Sequence, residues 1–226
     1  MAVINIGEFK QYRVMQMQLF PKRGGKRRGA GRPAKGPRPS ERHEKRARVT
    51  RHTPVHVTLR VVELRESLRT RELYRAIRAA TIVVGKKQTM RVVHASVQSN
   101  HVHLIVEAED QRVLAKGMQG FQISAAKHIN RTLVRKGTVF RDRYHAHVLK
   151  TPREARNAVV YVLNNWRKHG VRAETVIDPC SSADCFDGWR EGAWEREEKW
   201  RLRVFAPASW LLRKVTDVSV LETPRR

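Results

Sequence analysis

Apolar residues recur with two different periods along the middle of this chain. Val55, Val57, Leu59 and Val61 alternate with His56, Thr58 and Arg60, the period-two pattern of a strand with one buried face. Leu64, Leu68, Leu73, Ile77 and Ala80 then recur at roughly helical spacing, which predicts a helix over 63–81. Residues 91–97 form a second predicted strand, Gln98-Ser99-Asn100 a turn, and 101–107 a third strand antiparallel to the second. A second helix is expected over 111–134, with Val113, Leu114, Met118, Phe121, Ile123, Ala126, Ile129 and Leu133 on its apolar side and Gly137 as its stop. Val139-Phe140 and the stretch 144–149 predict a further strand or hairpin. Thr151 as N-cap, Pro152 in the first turn and Glu154 at the capping-box position then start a helix that runs to about Lys168, with Gly170 as its stop. The order β-α-β-β-α-β plus a last helix predicts an α+β fold. Its expected architecture is a ferredoxin-like split βαβ antiparallel sheet with helices on one face, a basic N-terminal arm and an irregular C-terminal extension.

Charge changes the picture at the N-terminal side. The 226 residues carry 47 Lys and Arg against 21 Asp and Glu, a formal charge of +26, which points to a polyanionic partner. Nucleic acid leads and an anionic membrane surface competes. No apolar run approaches the ~18 residues that span a bilayer, and Glu8, Lys10 and Arg13 interrupt any signal peptide. Residues 21–52 hold many Lys, Arg, Gly and Pro and almost no large apolar side chain, so they read as a disordered arm. Within it Arg28-Gly29-Ala30-Gly31-Arg32-Pro33 looks like a Gly-Arg-Pro element that enters an A·T-rich minor groove. A nonspecific phosphate-binding arm through Arg28 and Arg32 is the plainer reading. The expected organisation is 1–52 arm, 53–170 folded domain and 171–226 extension. Two cysteines, Cys180 and Cys185, make no disulfide framework, and a reducing cytoplasm is the expected setting.

The candidate chemistry sits on the predicted elements. His101 and His103 project from the same face of the third strand, where a pair of imidazoles could hold a metal ion or a phosphate. The plainer alternative is two hydrogen-bonded histidines near a strand end, with Asn100 as a turn former. Tyr161 and Asn165 share one face of the last helix, though a tyrosine on a packed helix is most often core. A second pair, His145 and His147, competes as a metal site, but Arg141, Arg143 and Tyr144 around it suit gripping phosphates and stacking a base. Tyr144 is the runner-up nucleophile. Cys180 and Cys185 could be half of a zinc site, and two ordinary thiols is the better reading. Tryptophans 189, 194, 200 and 210 either stack bases beside Arg201 and Arg203 or anchor the tail.

Taken together, Asn100-His101-Val102-His103-Leu104, the Tyr161-x-x-x-Asn165 helix and Phe140-Arg141-x-Arg143-Tyr144 resemble the HUH single-tyrosine transposases. More narrowly they resemble the bacterial REP-associated tyrosine transposases, over about residues 53–170, and the Gly-Arg-Pro arm is similar to N-terminal extensions of that branch. The resemblance implies a metal-dependent endonuclease and strand transferase that binds a hairpin in single-stranded DNA and cuts beside it. It implies Tyr161 as nucleophile, forming a 5′-phosphotyrosine, and His101 and His103 as ligands of Mg²⁺ or Mn²⁺. Asn165 stands where the best-known relatives place a glutamine as third ligand, one methylene longer. Three neutral ligands would leave the cation its full charge to polarise a phosphate oxygen. Some members pair as homodimers that swap the tyrosine helix and others work alone. A bacterial, nucleoid-associated location is implied as well. The rivals are a catalytically idle DNA-binding regulator of repeated palindromes, a relaxase or replication initiator of the wider group, and an RNA-binding module, which would show paired aromatics on its strands.

Overall fold

The computed structural model describes residues 47–87, 90–168, 177–189 and 201–217. These belong to a unit spanning Glu41–Arg226, distinct from Met1–Ser40. Most of the predicted arm, including Arg28 and Arg32, lies outside the described residues, as do Gly170, Trp194 and Trp200.

In chain order the elements are β1 (Val55–Arg60), α1 (Arg71–Lys87), β2 (Arg91–Val97), β3 (His101–Glu107), α2 (Gln111–Thr132), β4 (His145–Val148), α3 (Pro152–Lys168) and α4 (Trp210–Asp217). The sheet order is β2-β3-β1-β4 with every pairing antiparallel, the expected ferredoxin-like split βαβ arrangement. Alternation along the strands feeds two cores. Val55, Val57, Leu59, Val102, Leu104 and Val106 pack with Leu73, Ile77, Leu114, Met118 and Phe121 of α1 and α2. On the other face Ile105 and Val93 meet Val159, Val162 and Leu163 of α3 and Leu211, Leu212 and Val215 of α4. Helices on one face therefore describes α1 and α2, while α3 closes the opposite face. Each fully buried side chain of this size, Phe121 or Leu104 for example, contributes about 1.5–3 kcal/mol. Packing begins as early as Val49, just before the expected boundary at 53.

Several boundaries differ from the expectation for identifiable reasons. The first helix starts at Arg71, not 63, because the Leu64–Leu68 stretch is a loop held by backbone bonds from Val62 to the Val139 carbonyl (2.8 Å) and from Leu68 to the Ser99 carbonyl (2.8 Å). Leu68 is fully buried, so its apolar character came from loop packing and mimicked a helical period. Of the strand or hairpin expected over 139–149, the structure has the strand, one passage along β1: Phe140 bridges Val61, His145 pairs with Thr58, and residues 141–144 loop out between them. Ile123, expected in the core, is 49% exposed. The second helix ends two residues early in a Schellman turn, with Val134 N–H on the Arg131 carbonyl and Arg135 N–H on the Asn130 carbonyl. At α3 the capping expectation holds: the Thr151 hydroxyl accepts from Glu154 N–H (3.2 Å) and the Glu154 carboxylate accepts from Lys150 N–H (2.7 Å).

The C-terminal extension is integral to the sheet. Strand β2 is an edge strand, and its outward groups are taken up by the extension: Val97 N–H by the Cys180 carbonyl (2.8 Å), the Ala95 carbonyl by Ser182 N–H (2.8 Å), and the Val92 carbonyl by Phe205 N–H (2.8 Å). Arg69 grips Asp178 with both terminal nitrogens (2.7 and 3.1 Å) and also donates to the Val97 carbonyl (2.9 Å). The Glu107 carboxylate at the end of β3 accepts the Ala208 and Ser209 amides just ahead of α4 (2.9 and 2.8 Å). Trp189 is buried and donates to the Ala183 carbonyl (2.7 Å), so it anchors the tail, whereas Trp210 is 55% exposed.

Two stability measurements follow. Val134 is a β-branched residue at φ 47°, a left-handed conformation that glycine adopts without strain, and its side chain is exposed. Val134→Gly is expected to raise unfolding stability in urea by about 1 kcal/mol. His94 on β2 is wholly buried against the Phe186 ring, and burial lowers its pKa from 6.5 to about 4. The folded value lies below the unfolded one, so the unfolded chain binds the extra proton in this window. Stability is complete above pH 6.5 and is lost as pH falls towards about 4, by on the order of 3 kcal/mol from this group. His94→Leu is expected to flatten that decline, read as urea midpoints between pH 7.5 and 4.

Candidate active site

The face of the sheet covered by α3 carries an unusual number of imidazoles. Antiparallel register sets His103 opposite Thr58, His101 opposite Arg60, His147 opposite His56 and His145 opposite Thr58, so all these side chains share one face. The His101 and His103 rings lie 4.7 Å apart between centroids, edge to face. The Tyr161 ring on α3 sits against this group, 5.2 Å from His103 and 5.8 Å from His56. Asn165 lies one turn further along the same helix, about 6 Å by helix geometry.

Each imidazole is oriented by a second contact. Nδ1 of His101 is 2.8 Å from the Asn100 side-chain oxygen, and the Asn100 carbonyl also accepts from Val61 N–H (3.0 Å). Asn100 thus both shapes the turn and fixes a histidine. Nδ1 of His103 is 3.1 Å from His56 Nε2 and 3.1 Å from the Thr58 hydroxyl. Burial, with His147 and His145 nearby, lowers the His56 pKa from 6.5 to about 4. His56 is therefore neutral at physiological pH and can accept at Nε2 the proton that His103 carries on Nδ1. In that tautomer His103 would coordinate a cation through Nε2. His56 and Thr58 were not singled out from the sequence. The signal was present, since both stand on the polar side of the alternating strand 55–61.

The remaining polar groups divide between fit and misfit. Asn165 is 1% exposed, and neither its amide oxygen nor its nitrogen has a hydrogen-bond partner among the described residues. Gln98 is also buried. Its nitrogen donates to the Ser96 hydroxyl (2.7 Å) across from His103, while its oxygen has no partner among the described residues. An orphaned buried amide is costly unless something else coordinates it. No three His, Cys, Asp or Glu side chains gather as a metal group among the described residues. Two imidazoles and an orphaned amide oxygen are neutral donors, so by their chemistry His101, His103 and Asn165 are of the kind that suits a divalent cation. The competing pair His145 and His147 stands exposed on edge strand β4 and, among the described residues, gathers with no third His, Cys, Asp or Glu as a metal group.

Tyr144 corrects the expectation of a base-stacking side chain. It is 6% exposed and packs into the core under α1 and α2, because alternation turns it away from His145. That position also removes it as a nucleophile beside the imidazoles. Arg141 and Arg143 are exposed in the 141–144 loop. Arg141 lines a cavity of about 660 Å³ with Arg60, Arg65 and Asn100 at the His101 end of β3. Cys180 and Cys185 are both free thiols, and burial pushes Cys185 up to about 11.

A family model described as IS200-like transposase matches residues 50–165, which include the imidazole strands and Tyr161 and end on Asn165. The chain belongs to the IS200-like transposase family. A search of curated proteins gave no match. Among solved structures, this transposase chain is similar to a REP-associated tyrosine transposase bound to a REP hairpin. The match has 19% sequence identity and a TM-score of 0.55, and covers 74% of this chain and 98% of the other. At that identity the likeness bears on the fold, which agrees with the four-stranded sheet described above. No helix among the described residues is long and apolar enough to cross a membrane.

The stranded amide of this transposase makes a prediction. Asn165→Leu keeps the branched shape of the side chain with slightly larger methyl ends and removes two unsatisfied polar atoms, so the metal-free variant is expected to be more stable than wild type by about 1–2 kcal/mol. Equal or lower stability in urea with EDTA present would show that the amide has a structural partner.

Proposed function

We propose that this chain is a metal-dependent single-stranded DNA endonuclease and strand transferase that cuts beside palindromic hairpin DNA through Tyr161. The observation that carries the reading is the Tyr161 ring packed 5.2 Å from His103 on the face that α3 closes. The hairpin bound to the REP-associated transposase of similar fold supports the same kind of partner here. The charge of +26 supports a nucleic acid in general. Such a substrate goes with a bacterial, nucleoid-associated protein.

The chemistry is a balanced exchange of phosphodiester bonds. The Tyr161 oxygen, having lost its proton, attacks a backbone phosphorus; the bond from phosphorus to the 3′ oxygen breaks, and that oxygen leaves and takes up a proton. The products are a 5′-phosphotyrosine and a 3′-hydroxyl. A 3′-hydroxyl attacking the phosphotyrosine reverses the step and joins strands, and the covalent link conserves the bond energy. His101, His103 and Asn165 would hold Mg²⁺ or Mn²⁺, which when bound offsets charge building on the phosphate oxygens. Asn100, His56 and Thr58 keep both imidazoles oriented for that role. Arg141 and Arg143, exposed near the His101 end of the sheet, suit the DNA backbone on either side of the cut. The contact of Tyr161 with His103 of its own chain supports a site completed within one protomer, and a homodimer is compatible with it.

The deciding experiment is a denaturing gel of labelled hairpin single strands taken from the flanks of the gene, with Mn²⁺, Mg²⁺ or EDTA. A protein-linked DNA band is expected that requires the metal, disappears in Tyr161→Phe and persists in Tyr144→Phe. Hairpin binding without any linked band would make the protein an idle DNA-binding regulator instead.

A further inference from the structure

A cavity of about 840 Å³ lies between α1, β2 and the C-terminal extension, and none of His101, His103, Tyr161 or Asn165 lines it. Its walls carry Arg78, Lys86, Arg201 and Arg203 against one acid, Asp187. Two of these cations have structural duties: Arg78 donates to the Arg201 carbonyl (2.7 Å), and Arg201 lies 3.7 Å from buried Asp184. Lys86 and Arg203 are exposed and have no ion-pair partner among the described residues. Between them sits the half-buried ring of Phe205, with the Arg203 guanidinium 5.4 Å from its centre. The ring rests directly on the backbone of α1. A Cβ at Gly85 would stand 3.1 Å from it, so glycine is what lets the aromatic sit there. His94 also lines the cavity, and its Nδ1 is buried with no hydrogen-bond partner among the described residues.

Phe205 also borders a second hollow of about 690 Å³ whose lining mixes Arg51, Arg91 and Lys116 with Glu107 and Glu109, and there Arg91 lies 3.9 Å from the Glu107 carboxylate. On the side of the first cavity, an aromatic ring beside Lys86 and Arg203 is the chemistry that holds single-stranded nucleic acid: phosphates bind the cations, and a base stacks on the ring whatever its identity. We propose that this cavity is a second nucleic-acid site. It takes a nucleotide of single-stranded DNA, with the phosphate at Lys86 and Arg203 and the base against Phe205. The inference rests on the single-stranded substrate of the proposed function and adds a holding site at the β2 edge, separate from the imidazole face. A strand gripped there would be retained while its cut end is exchanged at Tyr161.

The test is fluorescence anisotropy at fixed salt with two probes, a labelled dT20 and a blunt hairpin without tails. The proteins are wild type, Lys86→Gln/Arg203→Gln and Phe205→Leu. The double variant alters exposed side chains only, so a loss of fold is not expected, and thermal melts check it. Each variant is expected to bind dT20 about three- to tenfold more weakly while hairpin affinity stays within about twofold. The double variant is also expected to flatten the salt dependence for dT20 by ~0.7 per lost phosphate contact. Unchanged dT20 affinity, or an equal loss on both probes, would overturn the site. Because dT20 has no hairpin, this outcome is independent of whether the chain recognises palindromes.

Discussion

Everything in this molecule depends on the register of β1 between β3 and β4. Val55, Val57 and Leu59 are fully buried on one side, and the pairing that buries them carries His56 and Thr58 to the other, opposite His103, His145 and His147. Side chains in a strand alternate strictly, so a slip of one residue would drive imidazoles into the core and valines towards α3. The apolar core therefore enforces the polar face. The tyrosine helix is fixed on that face by the same logic, since Ile105 and Val93 supply the apolar contacts that seat Val159, Val162 and Leu163. Tyr161 is brought to His103 by packing at positions that have no chemistry of their own.

The orientation of the imidazoles adds a second layer of constraint. A buried neutral His56 is more useful beside His103 than a charged one, because a charged ring has no lone pair with which to accept a proton. Its depressed pKa and its contact with His103 are two consequences of one burial. Asn165 shows the opposite economy: an amide kept in a buried place where nothing else in the described chain satisfies it. Unsatisfied polar groups of this kind cluster where a protein must bind something.

Much of this was legible in the sequence because it is written in local periods. The alternation of 55–61 and 101–107 and the capping pattern at Thr151 to Glu154 each gave the right element, and the element order gave the sheet. What escaped depends on distant contacts. Leu64 and Leu68 imitated a helix while serving as loop anchors, and Tyr144 looked like a nucleic-acid contact among arginines until alternation turned it into the core. His56 was visible as a polar strand residue, but its importance comes from a neighbour 47 positions away. The extension showed no period at all, because its order comes from hydrogen bonds to β2 and from Arg69 holding Asp178.

Those bonds make the tail something other than an appendage. With residues 180, 182 and 205 bonded along β2, the extension serves as an irregular fifth strand, and the sheet is finished only when that stretch is in place. A shortened protein would therefore expose a raw strand edge and a buried guanidinium stripped of its carboxylate. Its first defect would be stickiness towards other strands, whatever nucleic acid it could still hold.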